Sequence, residues 1–246
     1  MTATLFAGLP GQESGHALTS ILYGATNPSG RLPYTIPRSE HDLPDPLLNP
    51  SLSDAPFPES NFTEGLFLDY RHFDHPNATN PKQTPPQFEF GFGLSYTTFI
   101  YTNLSITPST TPSTNWSEYP PAQTPPRQGG HPALWDVLFV ARCAVANAGA
   151  VEGAEVAQLY VGVPGAGVPE SEGGDARAPV RQLRGFVRVG PLVPGQAREA
   201  VFELTRRDLS VWDVEAQGWR LRRGGYKLWV GASSRDLRVV GEVVVG

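Results

Sequence analysis

The sequence predicts a piece of an α/β layer followed by an all-β sandwich. Three observations predict it. A strand–turn–helix–turn–strand pattern occupies the start of the chain. Short alternating apolar runs, separated by turn signals, fill the second half. The 246 residues also include 26 glycines and 25 prolines, enough for the many turns of a β-rich protein.

The first element is "TATLFAG", a short β-prone run ending at Gly8. "LPGQE" reads as a turn, and Ser14 is placed to cap the helix that follows. Ala17, Leu18, Ile21 and Leu22 recur at helical spacing and give that helix one apolar face. Gly24 suits its end. "NPSG" (27–30) is a turn, and "RLPYTIP" reads as an extended segment whose prolines suit a sheet edge. One helix and two short strands do not make a complete layer. Residues 37–62 read as irregular. "EGLFLDYRHFD" (64–74) reads as a strand and its exit.

"FEFGFGLSYTTFIYTNLSI" (88–106) reads as a glycine turn feeding a strand with Phe99, Tyr101 and Asn103 in alternation. Residues 107–132, rich in Pro, Thr and Ser, read as a flexible excursion. "LWDVLFVARCAVAN" (134–147) then alternates, with Val137, Phe139, Ala141, Cys143 and Val145 on one side. "EVAQLYVGV", "VRQLRGFVRV", "REAVFEL", "YKLWVGA" and "LRVVGEVVV" follow as further strands. Strands at this spacing, with few helix signals, predict an antiparallel sandwich of immunoglobulin-like or fibronectin type III-like size.

Charge and cysteine content exclude several functions. A net charge of −5 argues against nucleic acid or an anionic membrane as the main partner. Arg220, Arg222 and Arg223 form the densest basic group and read as a solvated strand face. Cys143 is the single cysteine, so no intrachain disulfide forms, and its apolar run marks it as buried rather than nucleophilic. No stretch is long enough to span a bilayer as a helix. "MTATLFAGLPG" has no basic start and too short an apolar core for a signal peptide.

Candidate chemistry is sparse. Glu13 in "GQESG" could act as a general acid or base, or could accept backbone N–H groups at the helix start; the structural role is favoured. The stretch is neither a nucleophile elbow nor a phosphate-binding loop. "RHFDH" (71–75) lacks further ligands in register for a metal. Glu13, Glu64, Asp69 and Asp74 are the carboxylates from which a glycoside-cleaving pair could be drawn, but spacing in sequence does not fix their separation. Asn61, Asn77, Asn103 and Asn115 all head N-x-S/T sequons and together favour a secretory lineage.

"AGLPGQESGHALTSILYGATNPSGRLPYT", "FTEGLFLDYRHFD", "FEFGFGLSYTTFIY", "EVAQLYVGV" and "LTRRDLSVWD" resemble, in this order, the C-terminal third of fungal glycoside hydrolase family 3 β-glucosidases. The resemblance is weakest at 38–60 and 106–133. It implies a C-terminal portion of the family's α/β sandwich domain at 1–93. A fibronectin type III-like domain, with a Pro/Thr/Ser-rich loop at 107–132, then fills 94–246. It implies a retaining, secreted enzyme that releases terminal β-D-glucosyl residues without metal or organic cofactor.

The family's nucleophile and acid/base lie upstream of "GLPGQESG", so no residue here inherits a catalytic role. Glu13 matches a family residue other than the acid/base. The expectation is a fragment, inactive alone, whose partner is the missing N-terminal part and whose signal peptide is absent for the same reason. Two rivals remain open: a stand-alone sandwich that binds polysaccharide or a protein through Trp212, Trp219, Trp229 and Tyr226, and a fragment of a family 3 β-xylosidase.

Overall fold

The computed structural model describes residues 4–43, 62, 64–75, 85–109, 117–121, 128–168, 175 and 178–246. Helix α1 spans Ser14–Leu22. Its N-cap is Glu13 rather than Ser14, and no side chain caps it. The helix ends at Tyr23, and Gly24 follows at φ 77°, the left-handed exit that glycine supplies without strain. None of its residues is buried: Leu18 and Leu22, on the predicted apolar face, are 43% and 63% exposed.

The two strands expected to flank α1 do not form. Residues 4–10 carry no ladder. The segment after the "NPSG" turn makes one bridge, Ile36 to Phe88, and Leu32 exchanges backbone bonds with Phe92 and Gly91. Pro33 and Pro37 have no N–H to donate, so a longer ladder is interrupted. The predicted strand at 64–74 is instead a turn and one helical turn, α2, Tyr70–Phe73. Asp69 starts it from φ 52° and accepts the Tyr70 N–H.

The second half forms the predicted sandwich. One sheet has the order β1 (Phe99–Pro108), β2 (Val137–Asn147), β5 (Ala197–Thr205). The other has the order β4 (Gln182–Leu192), β3 (Gly153–Gly162), β8 (Gly224–Gly231), β9 (Leu237–Val245). All pairings are antiparallel. The core between them includes Phe139, Cys143, Val145, Leu159, Leu204, Leu228 and Val230, all nearly free of solvent. Burial pushes the Cys143 thiol up to about 11.

Three departures from the sequence reading lie in this half. In β1, Phe99 and Tyr101 point inward but Asn103 does not, because a bulge breaks the alternation. A helical turn, α3 (Arg206–Leu209), and a hairpin of β6 (Ser210–Asp213) and β7 (Gly218–Leu221) occupy a stretch without predicted elements. Thr205 and Asp208 form a reciprocal capping box at α3. Within the expected flexible excursion, residues 117–121 are held in place. Glu118 O accepts the Leu221 N–H at 2.7 Å, Ser117 O accepts from Arg206, and the Tyr119 hydroxyl donates to Asp213.

β3 is buried along almost its whole length. Ala157, Leu159 and Val161 face the sandwich core. Gln158 and Tyr160 face the other way, beneath the residues that precede β1.

Candidate functional site

The densest concentration of buried polar chemistry is the seam where the first hundred residues meet β3 and its neighbours. Arg31 extends from the "NPSG" turn to Glu155 on β3, with Nη2 and Oε1 2.7 Å apart. Asn27, in the same turn, accepts from the Tyr96 N–H and the Ser95 hydroxyl and donates to Glu152 O. Gln158 donates Nε2 to Gly91 O at 3.1 Å and to Ala232 O at 2.6 Å, and accepts the Tyr160 hydroxyl. Gly91 sits at φ 81°, and a Cβ there would lie 2.2 Å from Gln158 Oε1. Only glycine lets these two segments approach this closely.

Asp74, just past α2, lies between two guanidinium groups, 2.7 Å from Arg181 and 2.9 Å from Arg235. Burial raises its carboxyl and the two arginines oppose that shift, with burial the larger cause. The Tyr70 hydroxyl accepts the Leu183 N–H of β4, and its ring packs edge-on against Tyr160. Burial also raises the phenol of Tyr70, and that of Tyr101, where Glu155 adds to the effect. The seam is a set of desolvated contacts in which most polar groups are paired, while Arg31 Nε and Ser234 Oγ are buried without a hydrogen-bond partner. It can hold two layers in fixed register.

The carboxylates considered from sequence do not converge there as a reactive pair. Asp69 accepts from Thr35 N–H, Thr35 Oγ1 and Tyr70 N–H, which commits both its oxygens to the backbone turn. Asp74 is committed to the two arginines. Glu13 is exposed at the start of α1. One oxygen of Glu64 is buried.

In "RHFDH", His72 Nε2 lies 3.0 Å from Asp42 O, and His75 packs on Phe67. Burial, then His72, lowers the His75 imidazole. Among the described residues no group of His, Cys, Asp or Glu is spaced to hold a metal ion.

The basic group is partly solvated, with Arg223 exposed 3.7 Å from Glu118, but two of its arginines are tied down. Arg220 pairs with Glu118 at 3.0 Å, and Arg222 pairs with Asp175 and donates to Pro164 O. These arginines anchor the loops around the β6–β7 hairpin.

The four aromatics of the binding-module rival do not share one exposed face. Tyr226 is fully buried and donates its hydroxyl to Leu209 O and Arg222 O. Trp229 is partly covered on β8. Trp212 and Trp219 face each other across the β6–β7 hairpin, 5.3 Å apart and nearly perpendicular, and the Arg207 guanidinium covers Trp219 at 3.2 Å. Of the sequons, Asn61, Asn77 and Asn115 lie outside the described residues, and Asn103 is exposed on β1.

Sequence reading missed the seam residues Arg31, Glu155, Gln158, Arg181 and Arg235. One signal was present: Glu155 and Gln158 interrupt an otherwise apolar strand, and buried polar groups need partners.

Comparison with known proteins places these features in context. Residues 1–96 match the family described as "Glycosyl hydrolase family 3 C-terminal domain", and residues 155–234 match "Fibronectin type III-like domain". The chain is 51% identical over 247 aligned positions to the probable beta-glucosidase M of Aspergillus niger, covering 98% of this chain and 29% of that protein. It is 46% identical over 246 positions to beta-glucosidase cel3A of Pyricularia oryzae, covering 100% and 30%.

Among solved structures, the beta-D-glucoside glucohydrolase of Trichoderma reesei is 40% identical with a TM-score of 0.79, covering 98% of this chain and 30% of that one. Beta-glucosidase 3B of Thermotoga neapolitana, in complex with alpha-D-glucose, is 29% identical with a TM-score of 0.71, covering 96% and 27%. The chain thus spans under a third of the length of these relatives.

Proposed function

The chain belongs to glycoside hydrolase family 3, whose C-terminal domain and fibronectin type III-like domain it carries, and on that premise we propose that it is the C-terminal part of a β-glucosidase. The assembled enzyme removes terminal, non-reducing β-D-glucosyl residues with retention of configuration, using two carboxylates on opposite sides of the bond. The observation that carries this reading is the similarity to β-glucosidases over nearly the whole chain, 51% identical to one of them across 98% of this chain's residues. The name shared by these relatives favours glucosidase over xylosidase.

The chain's own contribution is scaffold. Asp69 and Asp74, the carboxylates of the "DYRHFD" motif, are held by hydrogen bonds and arginines rather than presented to a substrate. The nucleophile and the acid/base come from the polypeptide that the longer relatives carry ahead of the matched region, and that polypeptide is the chain's partner. Phe6, Leu9, Leu18 and Leu22 are exposed around α1, which supports a partner packing on this side. The parent acts outside the cell and uses no cofactor.

The test is complementation. The purified chain is assayed on p-nitrophenyl β-D-glucopyranoside, alone and with the separately expressed N-terminal portion of the Aspergillus niger relative. Hydrolysis is expected only in the mixture. Turnover by the chain alone would overturn the scaffold role. A silent mixture in which the two pieces bind would overturn the glucosidase reading.

A further inference from the structure

We propose that Asn103 is an N-glycan acceptor and that the bulge in β1 is what lets the folded strand accommodate the glycan. The proposal rests on the reading of the parent as a secreted enzyme. The sequence Asn103–Leu104–Ser105 is a complete sequon. It lies within a strand whose alternation starts with Phe99 and Tyr101 facing the core. Continued for two more residues, that alternation would turn Asn103 inward as well.

The bulge prevents this. Thr102 is opposite Ala144 and Ser105 is opposite Arg142, so Asn103 and Leu104 together face Cys143. Asn103 takes up the extra residue at φ 56° and is exposed. Asparagine tolerates this left-handed region better than most side chains. The phase of the strand changes at this point. Leu104 and Ile106 now pack against the core, lying over Gly241 of β9, where a Cβ would come within 3.3 and 2.8 Å of their methyl groups.

Asn103 is thereby the outward residue at the one place where the alternation changes phase. A glycan there projects away from both sheets.

The donor is an oligosaccharide linked to a lipid through diphosphate. Transfer joins Asn103 Nδ2 to C1 of the reducing-end sugar. The C1–O bond to diphosphate breaks, the lipid diphosphate leaves with the electron pair, and one amide proton passes to solvent base.

The full chain is expressed behind a supplied secretory leader in yeast, and its peptides are treated with an amide-cleaving glycosidase in ¹⁸O water. Supplying the leader separates this test from the question of whether the parent is secreted in its own host. Asn103 is expected to appear as ¹⁸O-labelled aspartate. Ser105→Ala, which keeps Asn103 in its bulge, is expected to abolish the label and remove the mass of one glycan. Recovery of the secreted wild-type peptide with unmodified Asn103 would overturn the proposal, whatever the state of the other sequons.

Discussion

Arg31 and Glu155 form an ion pair at 2.7 Å with side chains only 8% and 3% exposed. They lie far apart in sequence, one in the segment after α1 and the other on β3. Each charge is desolvated and each is neutralised by the other. Such a pair adds little net stability compared with an apolar replacement, yet it is costly to break from one side.

Arg31→Met should therefore destabilise the chain by about 3–5 kcal/mol, because it strands a buried carboxylate. Adding Glu155→Met should recover much of that loss. Urea denaturation of the two single variants and the double variant measures the coupling. Independent, additive effects would show that the pair is not a unit.

Gly91→Ala should cost more than the usual penalty for a left-handed alanine. Its Cβ would fall 2.2 Å from Gln158 Oε1, so Gln158 must give up its bonds to Gly91 O and Ala232 O. A loss of about 2–4 kcal/mol is expected from strain and an unpaired buried amide together. The same unfolding assay reads it, and Gln158→Ala in the Gly91→Ala background should remove the clash.

At Asn103, Gly should be tolerated and Val should not. The residue sits at φ 56°, where a β-branched side chain costs about 1–2 kcal/mol. Thermal unfolding of the two variants, both without the sequon, distinguishes backbone strain from loss of a glycan.

Cys143 should resist alkylation until the protein unfolds. Its thiol is fully buried and raised to about 11, so little thiolate exists at neutral pH. The folded thiol keeps its proton where the unfolded one loses it. Stability is therefore whole below the unfolded thiol's pKa of ~8.5 and falls as pH rises toward 11. Cys143→Ala should flatten that decline in denaturation curves measured across this range, though it also opens a small cavity.

The sandwich strands were legible because each buried run keeps a period of two. β2 shows this from Phe139 on, with Phe139, Ala141, Cys143 and Val145 all inward as read; Val137, read on the same side, is only half-buried because a register shift separates it from Phe139. The bulge in β1 was partly legible: Phe99 and Tyr101 are followed by Leu104 and Ile106, and the apolar spacing slips by one residue. The β6–β7 hairpin escaped because each strand is four residues long, too short for a pattern. At the start of the chain, β-prone composition at 4–8 suggested a strand. Strands, however, are stabilised by ladder partners, and no described strand pairs with this segment, whose Phe6 packs edge-on against the Tyr34 ring.

The seam was illegible for a different reason. Its contacts join residues 67 to 162 positions apart, and no local period reports them. The family assignment was carried instead by ordered motifs. The carboxylates of "DYRHFD" show the same thing, since their partners lie far off in sequence: Asp69 starts α2, and Asp74 fastens it to Arg181 and Arg235.

β3 separates two interiors. Leu159 belongs to one and Tyr160, its neighbour, to the other. A wall shared in this way couples the melting of both rooms, because solvent admitted on one side removes the support of the other. Heating should produce one calorimetric transition spanning both layers, and cutting the polypeptide ahead of β1 should lower the melting temperature of the sandwich that remains.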